Sequence, residues 1–468
     1  MEKRSHFLTT VLCLFAVFLL ATLGCKEKTA PAPVAAAEDS VDEDTLRGSG
    51  GLPESDSITP IDQAQEPQPI DTERLLEACL NEEQLKEGWV NLFDGQTPYG
   101  WFSIGGAKWG TRDGVLRADT GEPSFLCTSF QIADYELLVD FKCGADTNSG
   151  VFLRTTANPQ DVTHECYELN IAPPDNPFPT GSLVKRKKVD PEVIGDVAAD
   201  TWHTYRVLAE GDAIKVWLDG KPVMEYTDPK PLGRGYISLQ YNSGPIEFRN
   251  ILMRPLGLKQ LPVGNDWETA WTKGEKPGAK FTVTGDDAGL RLKGGSGRVE
   301  SKEQWDDFVL QATYQLATPS VNSGIFFRCV PGSMTDGYEC QLNHDFKAEG
   351  RVMPLDYGAG GIFNRQLARI VVGNGTEPTY VTVLAEEFQL ATWINGLQIA
   401  DFADTRPRNP NPRAGARREA GTLALQGHDE STEVLFQQIG IAPIAANPTS
   451  ISPPPEASET QSSEPQIE

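Results

Sequence analysis

Two short strings of residues carry the side chains that matter chemically. Glu168 and Asn170 are two apart in Tyr167-Glu168-Leu169-Asn170, and Glu339, Gln341 and Asn343 keep the same spacing in Tyr338-Glu339-Cys340-Gln341-Leu342-Asn343. On a strand, side chains two apart share a face, so each string lays a carboxylate beside one or two amides. Arg154 ends Ser149-Gly150-Val151-Phe152-Leu153-Arg154, and Arg328 ends Ser323-Gly324-Ile325-Phe326-Phe327-Arg328. An arginine closing so apolar a run needs a charge partner. If the strings pair, one sheet face presents an arginine, a carboxylate and amides, a set suited to the hydroxyls and keto oxygens of a carbohydrate. The alternative is a buried Arg–Glu pair that fixes sheet register. His344 follows Asn343, and His428-Asp429 follows Leu425-Gln426-Gly427, whereas Tyr241-Asn242 stands at that second place in the first half. No HExxH, cysteine cluster or calcium-loop pattern occurs, so these residues demand no metal.

The elements that position these strings are strands. Tyr135, Leu137, Val139 and Phe141 alternate with Glu136, Leu138, Asp140 and Lys142, the period of a strand with one buried face. Ile214–Leu218 runs through Asp219-Gly220 into Lys221-Pro222-Val223, a hairpin with type I′ turn residues. Neither half contains an amphipathic helix of useful length. The fold class expected is all-β, two tandem sandwiches, because the chain repeats itself. Asn148-Ser149-Gly150 returns 174 residues later as Asn322-Ser323-Gly324. Trp217-Leu218-Asp219-Gly220 returns as Trp393-Ile394-Asn395-Gly396, and Gly235–Gln240 returns as Gly421–Gln426, all in one order. Copy one is placed at 86–256 and copy two at 265–443. The Asn-Ser-Gly triplets read as turns, and the loops 172–181 and 345–361 as walls over the sheet face. The run Lys185–Lys188 reads as solvated.

The 468 residues carry 41 basic and 66 acidic side chains, a net charge of −25, which argues against nucleic acid as a partner. Between Glu38 and Glu87 stand 15 acidic and 3 basic residues, so 25–85 reads as an acidic linker, with one short helix over Leu75–Leu85 capped by Asp71 or Thr72. Residues 444–468 read as a disordered tail. Lys3 and Arg4 precede an apolar run from Phe7 to Leu23 that ends at Gly24-Cys25. Residues 1–24 therefore read as a secretory signal. The end of the run resembles the bacterial lipoprotein signal, in which the cysteine is lipidated, although Thr22 stands where Leu is usual. Membrane contact would then run only through Cys25, with the protein facing the periplasm or exterior. Six cysteines remain for the folded part, without a CxxC pair, and Cys329–Cys340 is the first disulfide to test.

The ordered motifs of both halves resemble the 3-keto-disaccharide hydrolase domain, also described as 3-keto-glucoside 1,2-lyase or 3-keto-2-hydroxy-glucal hydratase. In copy one they are Trp89–Gly95, Gly100-Trp101, Asn148-Ser149-Gly150, Tyr167-Glu168, Thr180–Leu183, Trp202–Tyr205 and Phe248–Ile251. In copy two they are Asn322–Arg328, Tyr338–Gln341, Gly360–Gln366, Trp393–Gly396 and Gln426–Asp429. The resemblance covers about three quarters of the chain. It implies a concanavalin-like jelly roll that acts on oxidised glycosides. A ketone at C3 acidifies the C2 proton, and a base removes it. The oxygen at C1 then leaves by β-elimination, and water adds to the resulting 2-hydroxy-glucal. On that reading Glu339 or Glu168 is the base, Arg328 or Arg154 stabilises the enolate, and His428 or His344 donates the proton. Gln341, Asn343, His344, Arg365, Asn170 and Gln240 contact the substrate, a 3-keto-glycoside, with no metal or other cofactor. The rival classes are a lectin-like glycan-binding module and a structural adhesion protein of the envelope. Asn170, where the family pattern favours Gln, and Tyr241-Asn242 set copy one apart.

Overall fold

A computed structural model describes residues 58–59, 71–195, 197–333 and 335–445. The apolar N-terminal run, Cys25 and the C-terminal tail lie outside the described residues.

Each copy is a sandwich of two antiparallel sheets. In copy one the sheet that bears the Glu168 string runs in the order Ile58–Thr59, Trp101–Ala107, Gly121–Thr128, Tyr236–Ser243, Asn148–Thr155, Tyr167–Ile171. Copy two repeats it as Trp271–Glu275, Gly297–Trp305, Gly421–Gly427, Gly324–Cys329, Tyr338–Gln341. The opposing sheets are larger and are built around the long strands Ile246–Pro255 and Glu433–Pro443. Alternation does the sorting, as a two-residue period requires. Val151, Leu153, Tyr167, Leu169, Ile237 and Leu239 enter the first core. Ile325, Phe327, Tyr338, Cys340, Leu423 and Leu425 enter the second. The hairpin turns have the expected form, with Asp219 and Gly220 at φ 50° and 76° and Asn395 and Gly396 at 47° and 79°.

The two sandwiches belong to one compact unit. Trp393 of copy two is fully buried in the core of copy one, edge-on to Phe130 at 5.5 Å, and its indole N–H donates to the Asn91 carbonyl at 3.1 Å. Arg369 pairs with Asp94 at 2.7 Å. Arg234 of copy one reaches Asp307, Glu386 and Glu387 of copy two.

Several expectations need correcting. Leu75–Leu85 is not one helix. Thr72–Glu77, capped by Asp71, and Glu82–Glu87, capped by Asn81, are separate, because the Asn81 side chain takes up the Gln84 amide and restarts the chain. Residues 71–85 are thus folded, and Leu75 sits in the second core. The triplet Asn148-Ser149-Gly150 is strand, not turn. In both copies its serine hydroxyl donates across to the neighbouring strand, Ser149 to the Gln240 carbonyl at 2.6 Å and Ser323 to the Gln426 carbonyl at 2.8 Å. No disulfide joins Cys329 to Cys340. Cys340 points into the second core, whereas Cys329 packs with Phe326 and Ala424 on the other face. The run Lys185–Lys188 is not simply solvated. Arg186 is buried over the Tyr167 ring at 4.3 Å and pairs with Asp228 at 2.7 Å.

Candidate functional site

The site is built on the sheet face turned away from the copy-two core. Phe326 pairs with Glu339, Gly324 with Gln341, and Phe326 with Ala424 on its other side. Since the intervening residues enter the core, Gly324, Phe326, Glu339, Gln341 and Ala424 share the outer face. Arg298 and Glu300, which pair with Gln426 and Ala424, extend it. A side chain at 324 would displace the Glu339 carboxyl, because a Cβ there would stand 2.7 Å from Oε1 and 2.9 Å from Cγ.

Glu339 is 4% exposed. Burial pushes its carboxyl up to about 7, opposed mainly by Arg413, whose Nη2 lies 3.1 Å from Oε2. Arg413 is held over the site from several sides. Its Nε donates to the Thr335 carbonyl at 2.6 Å, and its guanidinium lies over the rings of Phe326 and Phe363 at 5.5 and 5.3 Å. Arg365 donates to the Pro412 and Arg413 carbonyls at 3.0 Å each, bracing the loop from behind. A second carboxylate, Asp356, descends from the loop after the Glu339 strand. Its Oδ2 accepts from Gln341 Nε2 at 2.9 Å and Asn322 Nδ2 at 2.5 Å. Burial raises its pKa, while His428 pulls it down. His428 is within electrostatic reach of both carboxyls, and Asp429 Oδ2 holds its Nδ1 at 2.8 Å, leaving Nε2 for another partner. The amide oxygens of Gln426 and Asn322 are buried without a protein partner. Such acceptors await a hydroxyl or water donor.

Copy one presents a reduced version of this face. Glu168 pairs with Phe152 and Asn170 with Gly150, and Gln240 lies across from Gly150. Burial pushes Glu168 up to about 7, opposed by Lys185 and the Gln240 amide. The amide oxygens of Asn170 and Gln240 are buried and unpartnered. Where copy two has Arg298 and Glu300, copy one has Phe125 and Cys127. Among the described residues no arginine bonds Glu168.

The structure thus brings Glu339, Gln341 and His428 together, and separately Glu168, Asn170 and Gln240. It does not bring Arg328 or Arg154 to either face. Both have positive φ, 48° and 49°, and in both copies the register shifts beside them. This bulge reverses the alternation, so Cys329 takes the outward place and Arg328 turns inward. Arg328 donates to the carbonyls of Asp306, Glu387 and Arg417 at 2.7, 2.6 and 3.1 Å and pairs with Asp307 at 2.8 Å. Arg154 repeats the pattern on Ala133, Gly211, Leu232 and Asp134. The expected charge partner exists, but it is not Glu339 or Glu168. His344 is likewise inside: its Nε2 lies 2.6 Å from the Tyr314 hydroxyl, and burial lowers its pKa to about 4, so it is no proton donor near neutrality. Asn343 lies beyond the strand, and its side chain accepts the Asp345 amide at 2.8 Å to turn the chain.

Arg413 and Asp356 were not singled out from sequence. One signal for Arg413 was available: Gly220 and Gly235 are 15 positions apart, whereas their counterparts Gly396 and Gly421 are 25 apart. The extra length is the arginine-rich loop that carries Arg413.

A family model described as the 3-keto-alpha-glucoside-1,2-lyase-like domain matches residues 88–254 and again 263–442. No curated protein matches. Among solved structures, a Parabacteroides distasonis protein provisionally named a glycosyl hydrolase is 18% identical over 38% of this chain and 98% of its own, at a TM-score of 0.34. A second such protein from that organism is 27% identical over 32% and 90%, at 0.27. The carbohydrate-binding module CBM66 of Bacillus subtilis is 17% identical over 33% and 95%, at 0.27.

Proposed function

Because this chain belongs to the 3-keto-alpha-glucoside-1,2-lyase-like domain family in both of its sandwiches, we propose that the outer face of copy two cleaves 3-keto-glycosides by β-elimination. The observation that carries the reading is Glu339, a carboxyl poised at about 7 beside a guanidinium, a second carboxylate and a histidine. A base is most useful when its pKa lies near the working pH. Ionised Glu339 takes the C2 proton, and the electron pair left at C2 moves toward the C3 oxygen as an enolate. Arg413, a fixed cation beside the base, stabilises that negative charge. The enolate then re-forms the C3 carbonyl, a C1–C2 double bond forms, and the C1–O bond breaks. The leaving oxygen takes a proton from His428. Addition of water across C1–C2 restores the saturated 3-keto sugar. The unpartnered oxygens of Gln426 and Asn322 accept substrate hydroxyls.

A second reading applies to copy one. Glu168, Asn170 and Gln240 offer hydrogen-bonding groups and unmet acceptors without the arginine and second carboxylate, a set that holds a sugar without turning it over. The full-length protein incubated with a 3-keto-glucoside and followed by NMR is expected to release the aglycone and form the 2-hydroxy-glucal. Arg413→Ala should lower kcat about 100-fold and shift the acid limb of the pH profile upward, because Glu339 loses the cation that favours its ionised form. Saturable binding of glycans with no turnover would transfer the lectin-like reading to both copies.

The protein is further proposed to be anchored in the cell envelope through a lipid on Cys25, facing away from the cytoplasm. Metabolic labelling with palmitate should mark the wild type and not Cys25→Ser; equal labelling of both would refute the anchor.

A further inference from the structure

The large sheet of copy one carries a hollow of about 310 Å³ on its outer side, on the opposite sheet from Glu168. Its floor is a cross-strand row, Arg117–Glu247–Lys142, with Arg249 two residues further along the long strand and Arg112 on the edge strand. Trp202 lies alongside, with the Arg249 guanidinium 4.0 Å and the Lys142 ammonium 5.1 Å from its ring centre. The lining holds four cations against two carboxylates, on a chain whose net charge is −25.

These cations are only lightly engaged. Lys142 is paired with Glu247 at 2.5 Å, but Arg249 meets Asp140 only through Nε at 3.4 Å. Arg112 meets Asp113 through Nε at 3.3 Å, and Arg117 meets Asp119 at 3.8 Å. Among the described residues the terminal N–H groups of Arg249 and Arg112 make no hydrogen bond. A guanidinium fork with free edges is the group that reads a carboxylate or sulfate in two-pronged fashion. Stacking over Trp202 pre-sets Arg249 and lowers the entropic cost of using it. The corresponding strands of copy two place Arg291 and Lys293 on a shared Glu433. No such hollow is expected from the duplication itself.

We propose that this hollow binds an acidic saccharide, one carrying a uronate carboxylate or a sulfate ester. The arginines grip the anion, and the volume beyond it admits a sugar ring in contact with the exposed part of Trp202. The proposal is independent of the chemistry on copy two.

The test is titration calorimetry of the full-length protein with an oligogalacturonate and a sulfated oligosaccharide, with a neutral oligosaccharide of equal length and inorganic sulfate in parallel. At least one of the acidic saccharides should bind saturably, weaken as salt is raised, and lose at least tenfold in affinity in Arg249→Ala and in Arg117→Glu. Turnover of the 3-keto-glucoside should be unchanged in both variants, which also reports that they fold. Equal binding of the neutral sugar, equal binding of inorganic sulfate, full affinity in both variants, or no binding of either acidic saccharide would each overturn the proposal.

Discussion

Glu339→Gln is expected to lower turnover of a 3-keto-glucoside by about 1000-fold, and Glu168→Gln to leave it within about twofold. The asymmetry follows from the surroundings of two carboxyls raised alike to about 7. Only Glu339 is paired with a guanidinium, and only its face holds Asp356 and His428. Equal losses in the two variants would mean that both copies turn over substrate, and an active Glu339→Gln protein would remove the proposed base. Stability should move the other way. A carboxyl whose folded pKa lies above its unfolded value of 4.5 favours the native state most below about pH 4.5, and that contribution disappears as pH rises through about 7. At pH 8 the wild type therefore holds an ionised Glu339 at a cost that glutamine avoids. Thermal or denaturant unfolding should find Glu339→Gln more stable by up to about 3 kcal/mol at pH 8, with the difference fading toward pH 4.5. A gain that persists at acid pH would trace to something other than this ionisation.

Arg328→Met should destabilise the protein by about 3–5 kcal/mol, the cost of leaving three buried carbonyls without a donor and Asp307 without one of its two arginines. The fully buried guanidinium satisfies three carbonyls and Asp307 at once, and Asp307 in turn receives Arg234 of copy one. Were Arg328 the enolate-stabilising group, the variant would instead fold normally and lose kcat. Denaturant melts read beside kcat at a temperature where the variant is folded separate the two cases. Normal stability with lost activity would return Arg328 to the role of enolate stabiliser.

The two arginines mark where reading by sequence stopped. The Glu168 and Glu339 strings, their amide neighbours and the duplication follow from a period of two and from self-similarity, both carried by residue identity, whereas the pairing with the Ser-Gly strands was only a condition until the register showed it. That period also places Arg328 beside Glu339, and it fails because a left-handed residue shifts the strand by half a repeat. Nothing in Phe-Phe-Arg-Cys announces a positive φ, since arginine is not a residue that prefers one. His344 turns inward for a related reason: its direction depends on Tyr314, thirty residues earlier on the opposing sheet. Arg413 was hidden differently. It lies in the extra length of a loop that is shorter in copy one, so the repeat marks the insertion by its spacing but has no matching residue to mark Arg413 itself.

The Arg234 junction also bears on how this duplicated chain came to be kept in one piece. Asp307, Glu386 and Glu387 crowd three acids onto one corner of copy two, and Arg234 reaches all three from copy one. Trp393 crosses the same boundary and finds its cover in copy one. A gene cut between the copies would therefore yield a second half with an uncovered indole and with Glu386 stripped of its arginine, while Asp307 and Glu387 kept only Arg328 and Arg418. Each copy thus completes the other at this corner, copy one supplying a counter-ion to three acids and copy two supplying an indole to its neighbour's core.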